Sequence, residues 1–82
     1  MADLAAIEAE RGAVYGDPLV NHRRIAELWS VWFGHEVKPS DVARCMAMVK
    51  QARLVQTPDH ADSMDDEAVY LDFYRRFVEA GE

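Results

Sequence analysis

Pro39-Ser-Asp-Val-Ala-Arg-Cys-Met-Ala-Met-Val-Lys-Gln-Ala-Arg-Leu-Val-Gln56 and Ser63-Met-Asp-Asp-Glu-Ala-Val-Tyr-Leu-Asp-Phe-Tyr-Arg-Arg-Phe-Val78 are two stretches of helical pattern separated by a few residues containing Thr57, Pro58 and Asp59. In the first, apolar residues nearly surround the axis. Val42, Cys45, Met46 and Val49 lie on one side, and Met48, Ala52 and Val55 on another. A helix that is apolar around most of its circumference is normally the central one. In the second, Tyr70, Phe73, Tyr74, Phe77 and Val78 fall on one face. A loop this short joins antiparallel neighbours, so the two are expected to form a central hairpin.

Outward from this hairpin the pattern stays helical. Pro39 with Ser40 or Asp41 opens the third helix, which runs to about Gln56; Asp62 or Ser63 caps the fourth, and Gly81 ends it. Upstream, Asp17 then Pro18 place an N-cap side chain before proline at the first helical position. That second helix runs to about Phe33, with Ile25, Leu28, Trp29, Trp32 and Phe33 at helical spacing, and Gly34 closes it. A first helix from about Asp3 to Arg11 has a narrow stripe of Leu4 and Ile7 and is broken by Gly12 through Gly16. No run alternates as a strand does, and no repeat or low-complexity segment occurs. The expected fold is all-α, a bundle of about four helices in one domain over residues 1–82.

A chain of 82 residues buries only roughly 60–65% of the surface its unfolded form exposes. Such a domain has about 3–5 kcal/mol of stability unless something staples it. The single cysteine, Cys45, excludes an internal disulfide framework and a multi-cysteine zinc site, so self-association into a homo-oligomer is the expected extra source of stability. The net charge of −6 argues against nucleic acid as the main partner, because phosphates reward a basic surface. No apolar run approaches a membrane span, and no secretion signal is visible, which leaves the cytoplasm as the expected compartment.

Polar residues on faces expected to be buried carry the functional signal. At about 100° per residue, Arg53 falls among Met46, Val42 and Val49, and Asp66 falls among Phe73, Phe77 and Tyr70. A charge buried alone is too costly, so the two are expected to pair near the closed end of the hairpin as a structural clasp. Adding Lys50, one turn before Arg53, with His60, Asp62 and Tyr70 turns the clasp into the floor of a pocket for an anionic ligand such as a nucleotide or phosphate. Asp62, Asp66 and His60 could alternatively hold a divalent metal, though without diagnostic spacing. His22, beside Trp29 and Phe33, reads as a core or interface histidine. Trp29 and Trp32 read as core, with one of them open to a subunit contact. Arg23–Arg24 and Arg75–Arg76 read as solvated surface, and Cys45 as a buried inert thiol. No catalytic triad, phosphate-binding glycine loop or zinc spacing is present.

The ordered combination of Arg11-Gly-Ala-Val-Tyr-Gly-Asp17, Ile25-Ala-Glu-Leu-Trp29, Asp41-Val-Ala43, Met48-Val-Lys-Gln-Ala-Arg53, His60-Ala-Asp-Ser-Met-Asp-Asp66 and Tyr70 resembles a family of small, mainly bacteriophage- and prophage-encoded proteins of unknown function. The resemblance spans about Arg11 to Tyr70. It implies a helical fold, a setting in the cytoplasm of an infected host cell, and shared polar positions at Tyr15, Gly16, Asp17, Lys50, Arg53, His60, Asp62, Asp66 and Tyr70. Val69 stands where that family has a small residue. A more distant comparison is with MazG-like nucleotide pyrophosphohydrolases. These are helical, usually oligomeric enzymes that hold Mg2+ with an E-x-x-E pair on one helix and an E-x-x-D pair on the next. Here Glu27 stands alone on a polar face, no E-x-x-E occurs on a core helix, and Asp62 with Asp65 gives only a D-x-x-D spacing. The primary expectation is therefore a non-catalytic module without a cofactor that binds a host or phage protein or an anionic small molecule. A MazG-like, Mg2+-dependent enzyme is the alternative.

Overall fold

A computed structural model describes residues 3–82, leaving aside the side chains of residues 13–15. Four helices follow one another: α1 Leu4–Tyr15, α2 Pro18–Phe33, α3 Pro39–Gln56 and α4 Ala61–Glu79. No strand occurs among the described residues. The expected all-α bundle and its central hairpin are both present. The α3–α4 contact is by far the largest between any two helices; α2 packs mainly on α3, and α1 leans on α4 and α2.

The helix starts follow local chemistry. Asp17 caps α2 by accepting from the N–H groups of Leu19 (2.9 Å) and Val20 (3.1 Å), with Pro18 behind it, as the sequence predicts. At the other end Gly34 adopts φ 74°, a left-handed conformation that closes the last turn through a bond to the Ser30 carbonyl. Ser30 then stitches the corner to α3, its hydroxyl accepting from the Val37 N–H (2.8 Å) and donating to the Ala26 carbonyl (2.7 Å). Two boundaries differ from expectation. Gly12 does not break α1, which continues a further turn and ends at Gly16, where φ is 80°. The cap of α4 is His60, not Asp62 or Ser63: its Nδ1 accepts from the Ser63 N–H (3.3 Å) and lies 2.7 Å from the Ser63 hydroxyl.

The core is built from small residues facing aromatic ones. Ala43, Val69, Phe73 and Phe77 form its buried centre, with Ile7, Leu19, Tyr70 and Tyr74 packed around it. Val42 and Ala47 on α3 and Ala26 on α2 are buried beside them. Alanine lets α3 approach α4 closely, and the phenylalanines fill the space between. Each buried Phe contributes about 1.5–3 kcal/mol relative to exposure. This corrects the expected face of α3 in part. Val42 is fully buried as expected and Cys45 and Met46 are half-buried, but the buried stripe is centred on Ala43 and Ala47, and Met48, Val49 and Val55 are exposed. It corrects α2 as well. His22 and Ala26 turn inward with Ile25 and Trp29 half-buried, and Leu28, Trp32 and Phe33 face solvent.

Candidate functional site

Asp66, on the second turn of α4, is where three helices meet. Its carboxylate takes Lys50 Nζ from α3 at 3.0 Å on one oxygen and the Arg11 guanidinium from α1 on the other. The expectation that Asp66 needs a cationic partner holds, but the partner is not Arg53. Arg53 is exposed, and none of the ion pairs among the described residues includes it. The reason is the buried face of α3. Lys50 continues the Ala43–Ala47 stripe at i+7 and i+3, whereas Arg53 lies at the edge of that stripe, on the side of Met46 and Val49. Lys50 also stands closer to the level of Asp66 when the hairpin is measured from its loop.

The three charges form one wall of a cavity of about 210 Å3, closed by Gly12 of α1, the start of α2, and His22, Tyr70 and Phe73. Lys50 keeps only 12% of its side chain exposed. That burial is the main cause of the lowering of its pKa from the ordinary 10.5, followed by the positive charges of Arg53 and Arg11. Two cations share one carboxylate, leaving an excess of one positive charge. Glu8, also on the wall, is engaged by Arg76 at 2.9 Å.

His22 forms the floor and is 3% exposed. Its Nδ1 lies 2.7 Å from the Pro18 carbonyl. A carbonyl only accepts, so Nδ1 carries the proton, and the neutral ring leaves Nε2 as an acceptor. Burial lowers the pKa of His22 below 6.5, against a smaller opposing effect of the Pro18 bond. Nε2 is buried and has no hydrogen-bond partner among the described residues. The ring packs edge-on against Phe77 (5.1 Å), Phe73 (5.5 Å) and Tyr70 (6.1 Å). It is a core histidine, as expected, although its neighbours are the aromatics of α4 and not Trp29 and Phe33.

The residues singled out from sequence thus divide. Lys50, Asp66 and Tyr70 line this cavity, with Gly16 at its edge. Arg53 and His60 line a separate shallow groove with Gln56, Thr57 and Ser63. Asp62 is exposed and lines neither cavity, while Asp17 is committed to capping α2. The side chain of Tyr15 lies outside the described residues. The grouping of His60, Asp62 and Asp66 is not formed. Among the described residues no three His, Cys, Asp or Glu side chains converge so as to hold a metal ion. Arg11 was missed as a site residue, yet it had a signal. It extends the Leu4–Ile7 stripe at i+7 and i+4, so a cation there had to turn toward the bundle. The arginines expected as plain surface are exposed, but three of the four are tethered: Arg23 to Glu82, Arg75 to Glu79, and Arg76 to Glu8 and Asp72.

No helix among the described residues is long and apolar enough to cross a membrane. No solved structure matches the chain. Two curated relatives do: it is 42% identical over 65 residues to the Gene 55 protein of Mycobacterium phage L5, covering 78% of this chain and 42% of that protein. It is 38% identical over 73 residues to the Gene 55 protein of Mycobacterium phage D29, covering 89% of this chain and 48% of that protein. The chain thus spans less than half the length of either relative. Both are phage proteins, in keeping with the resemblance to a phage-encoded family. A domain family of unknown function, DUF6378, matches residues 2–77, nearly the whole bundle, and the chain belongs to that family.

Proposed function

We propose that this domain is a non-catalytic binding module whose cavity receives a small anion on Lys50 and Arg11. The observation that carries this is the pairing of two cations with one carboxylate at a cavity wall, in a protein of net charge −6. The Lys50 ammonium is largely withdrawn from water, and an incoming anion would restore the compensation that one shared carboxylate gives incompletely. Size narrows the ligand. Drug-sized ligands occupy about 300–1,000 Å3, so a cavity of about 210 Å3 fits a phosphate-sized group better than a whole nucleotide.

Titration calorimetry with inorganic phosphate, pyrophosphate and a dicarboxylate tests this. Phosphate or pyrophosphate is expected to bind the wild-type chain, and Lys50→Met, which removes the charge and keeps the side-chain length, is expected to weaken binding at least about tenfold. Loss of one hydrogen bond to a charged group, about 1.5–3 kcal/mol, corresponds to that change. No heat with any of the three anions at millimolar concentration, alongside an unchanged fold, would leave the trio as a structural clasp only.

A further inference from the structure

The outer side of α2 has no role in the fold or in the cavity. Leu28, Val31 and Trp32 sit at i, i+3 and i+4, opposite the buried His22 and Ala26, and are 70%, 85% and 84% exposed. Phe33, also open, continues the Ala26 side of the helix at i+7 and is not part of this stripe. From Leu28 to Phe33 there is no charged residue. We propose that this face is the packing surface for a second copy of the chain, with the two α2 helices antiparallel about a two-fold axis at the level of Ser30.

Three observations favour a second copy. The first is area. With about 150–250 Å2 for each aromatic and less for each aliphatic side chain, the exposed part of these three residues is on the order of 400 Å2. Two copies therefore bring together about 800 Å2, and flanking residues such as Arg24 raise this toward the roughly 1,000 Å2 of a specific interface. The second is charge. In this register Leu28 opposes Trp32 of the other copy, and Arg24 reaches the C-terminal end of that helix, where Glu36 follows the turn at Gly34. Both Arg24 and Glu36 are exposed, and neither belongs to an ion pair among the described residues. The third is the helix end. The last turn of α2 contains no basic residue. Arg24 of a second copy would lie against its carbonyl end, where a cation is favourable.

Sedimentation equilibrium of the 82-residue chain from about 1 μM to 1 mM tests the proposal. A monomer–dimer equilibrium with a Kd of about 10–100 μM is expected, consistent with an interface at the small end of the range. Trp32→Glu should raise that Kd at least about tenfold with an unchanged circular dichroism spectrum, since the side chain it replaces is already in solvent. Arg24→Glu and Glu36→Arg should each weaken association, and their combination should restore it. A chain that stays monomeric throughout, or a dimer indifferent to Trp32→Glu, overturns the proposal. Single charge reversals that weaken association without rescue in the double variant overturn the antiparallel register.

Discussion

His22 is held by one nitrogen on the Pro18 carbonyl and buried at the other, so its protonation is coupled to folding. Burial keeps its pKa in the folded chain below the 6.5 of an unperturbed histidine. The unfolded chain therefore takes up the proton first as pH falls. In that window the unfolded state holds more protons, so stability rises with pH. The contribution is fully present above about pH 7 and is lost as pH drops through 6.5 toward the folded pKa. Urea midpoints measured between pH 7.5 and 5.5 should fall for the wild type and fall less for His22→Phe, which keeps an aromatic ring among Tyr70, Phe73 and Phe77. Parallel slopes would exclude His22 as the source. Gly12 gives a second prediction at this scale. It lies inside α1, and a Cβ built there meets nothing within 4 Å. Gly12→Ala should therefore raise stability by about 0.5–1 kcal/mol, the helix-interior cost of glycine, read as a higher urea midpoint with unchanged slope.

At the scale of elements, Asp66 joins α1, α3 and α4, and its removal leaves Lys50 and Arg11 facing each other unneutralised. Asp66→Ala should destabilise by about 1–3 kcal/mol, toward the lower end of what breaking an enclosed pair costs because all three groups keep some contact with water. Arg53→Ala, at an exposed position, should stay within about 0.5 kcal/mol. Chemical denaturation of the two variants side by side decides whether the clasp runs through Lys50 or Arg53. The contrast also shows what sequence could reveal. Asp17-Pro18, Gly34 and Pro39 carry their local geometry in their own chemistry, so those boundaries are legible without a structure. That Asp66 would find a cation was legible too, because an enclosed carboxylate must be compensated. The identity of that cation was not, because it depends on which side of α3 turns inward. Hydrophobicity favours Val42, Met46 and Val49, and Val42 is indeed buried; yet Val49 is exposed, because close approach to the phenylalanines of α4 favours the side of Ala43 and Ala47, where packing prevails over side-chain polarity at Lys50. His60 shows the same limit. A histidine cap is uncommon, so the usual cap residues, Asp62 and Ser63, place the cap two to three residues too far along.

At the scale of the whole molecule, the buried hydrophobic residues among those described are Ala26, Val42, Ala43, Ala47, Val69, Phe73 and Phe77, and three of these are alanine. The exposed large apolar side chains outnumber them. A domain of this length with such a core is expected to hold only a few kcal/mol. Truncation of one phenylalanine, at about 3–5 kcal/mol, approaches that total, so Phe77→Ala should be largely unfolded at micromolar concentration by near- and far-ultraviolet circular dichroism. The same narrow margin makes association visible in stability. If folded chains pair through α2 and unfolded chains do not, raising the concentration stabilises the fold by mass action, by RT ln(1 + [L]/Kd) in the simplest case. Moving from far below the dissociation constant to about tenfold above it adds about 1.4 kcal/mol, and for a domain this small each kcal/mol shifts Tm by about 4–8 °C. The Tm of the wild-type chain should therefore rise by several degrees between about 5 μM and 500 μM, whereas that of Trp32→Glu should stay flat. A wild-type Tm independent of concentration would mean that the small core holds the fold unaided and that the apolar side of α2 stays in water over this range.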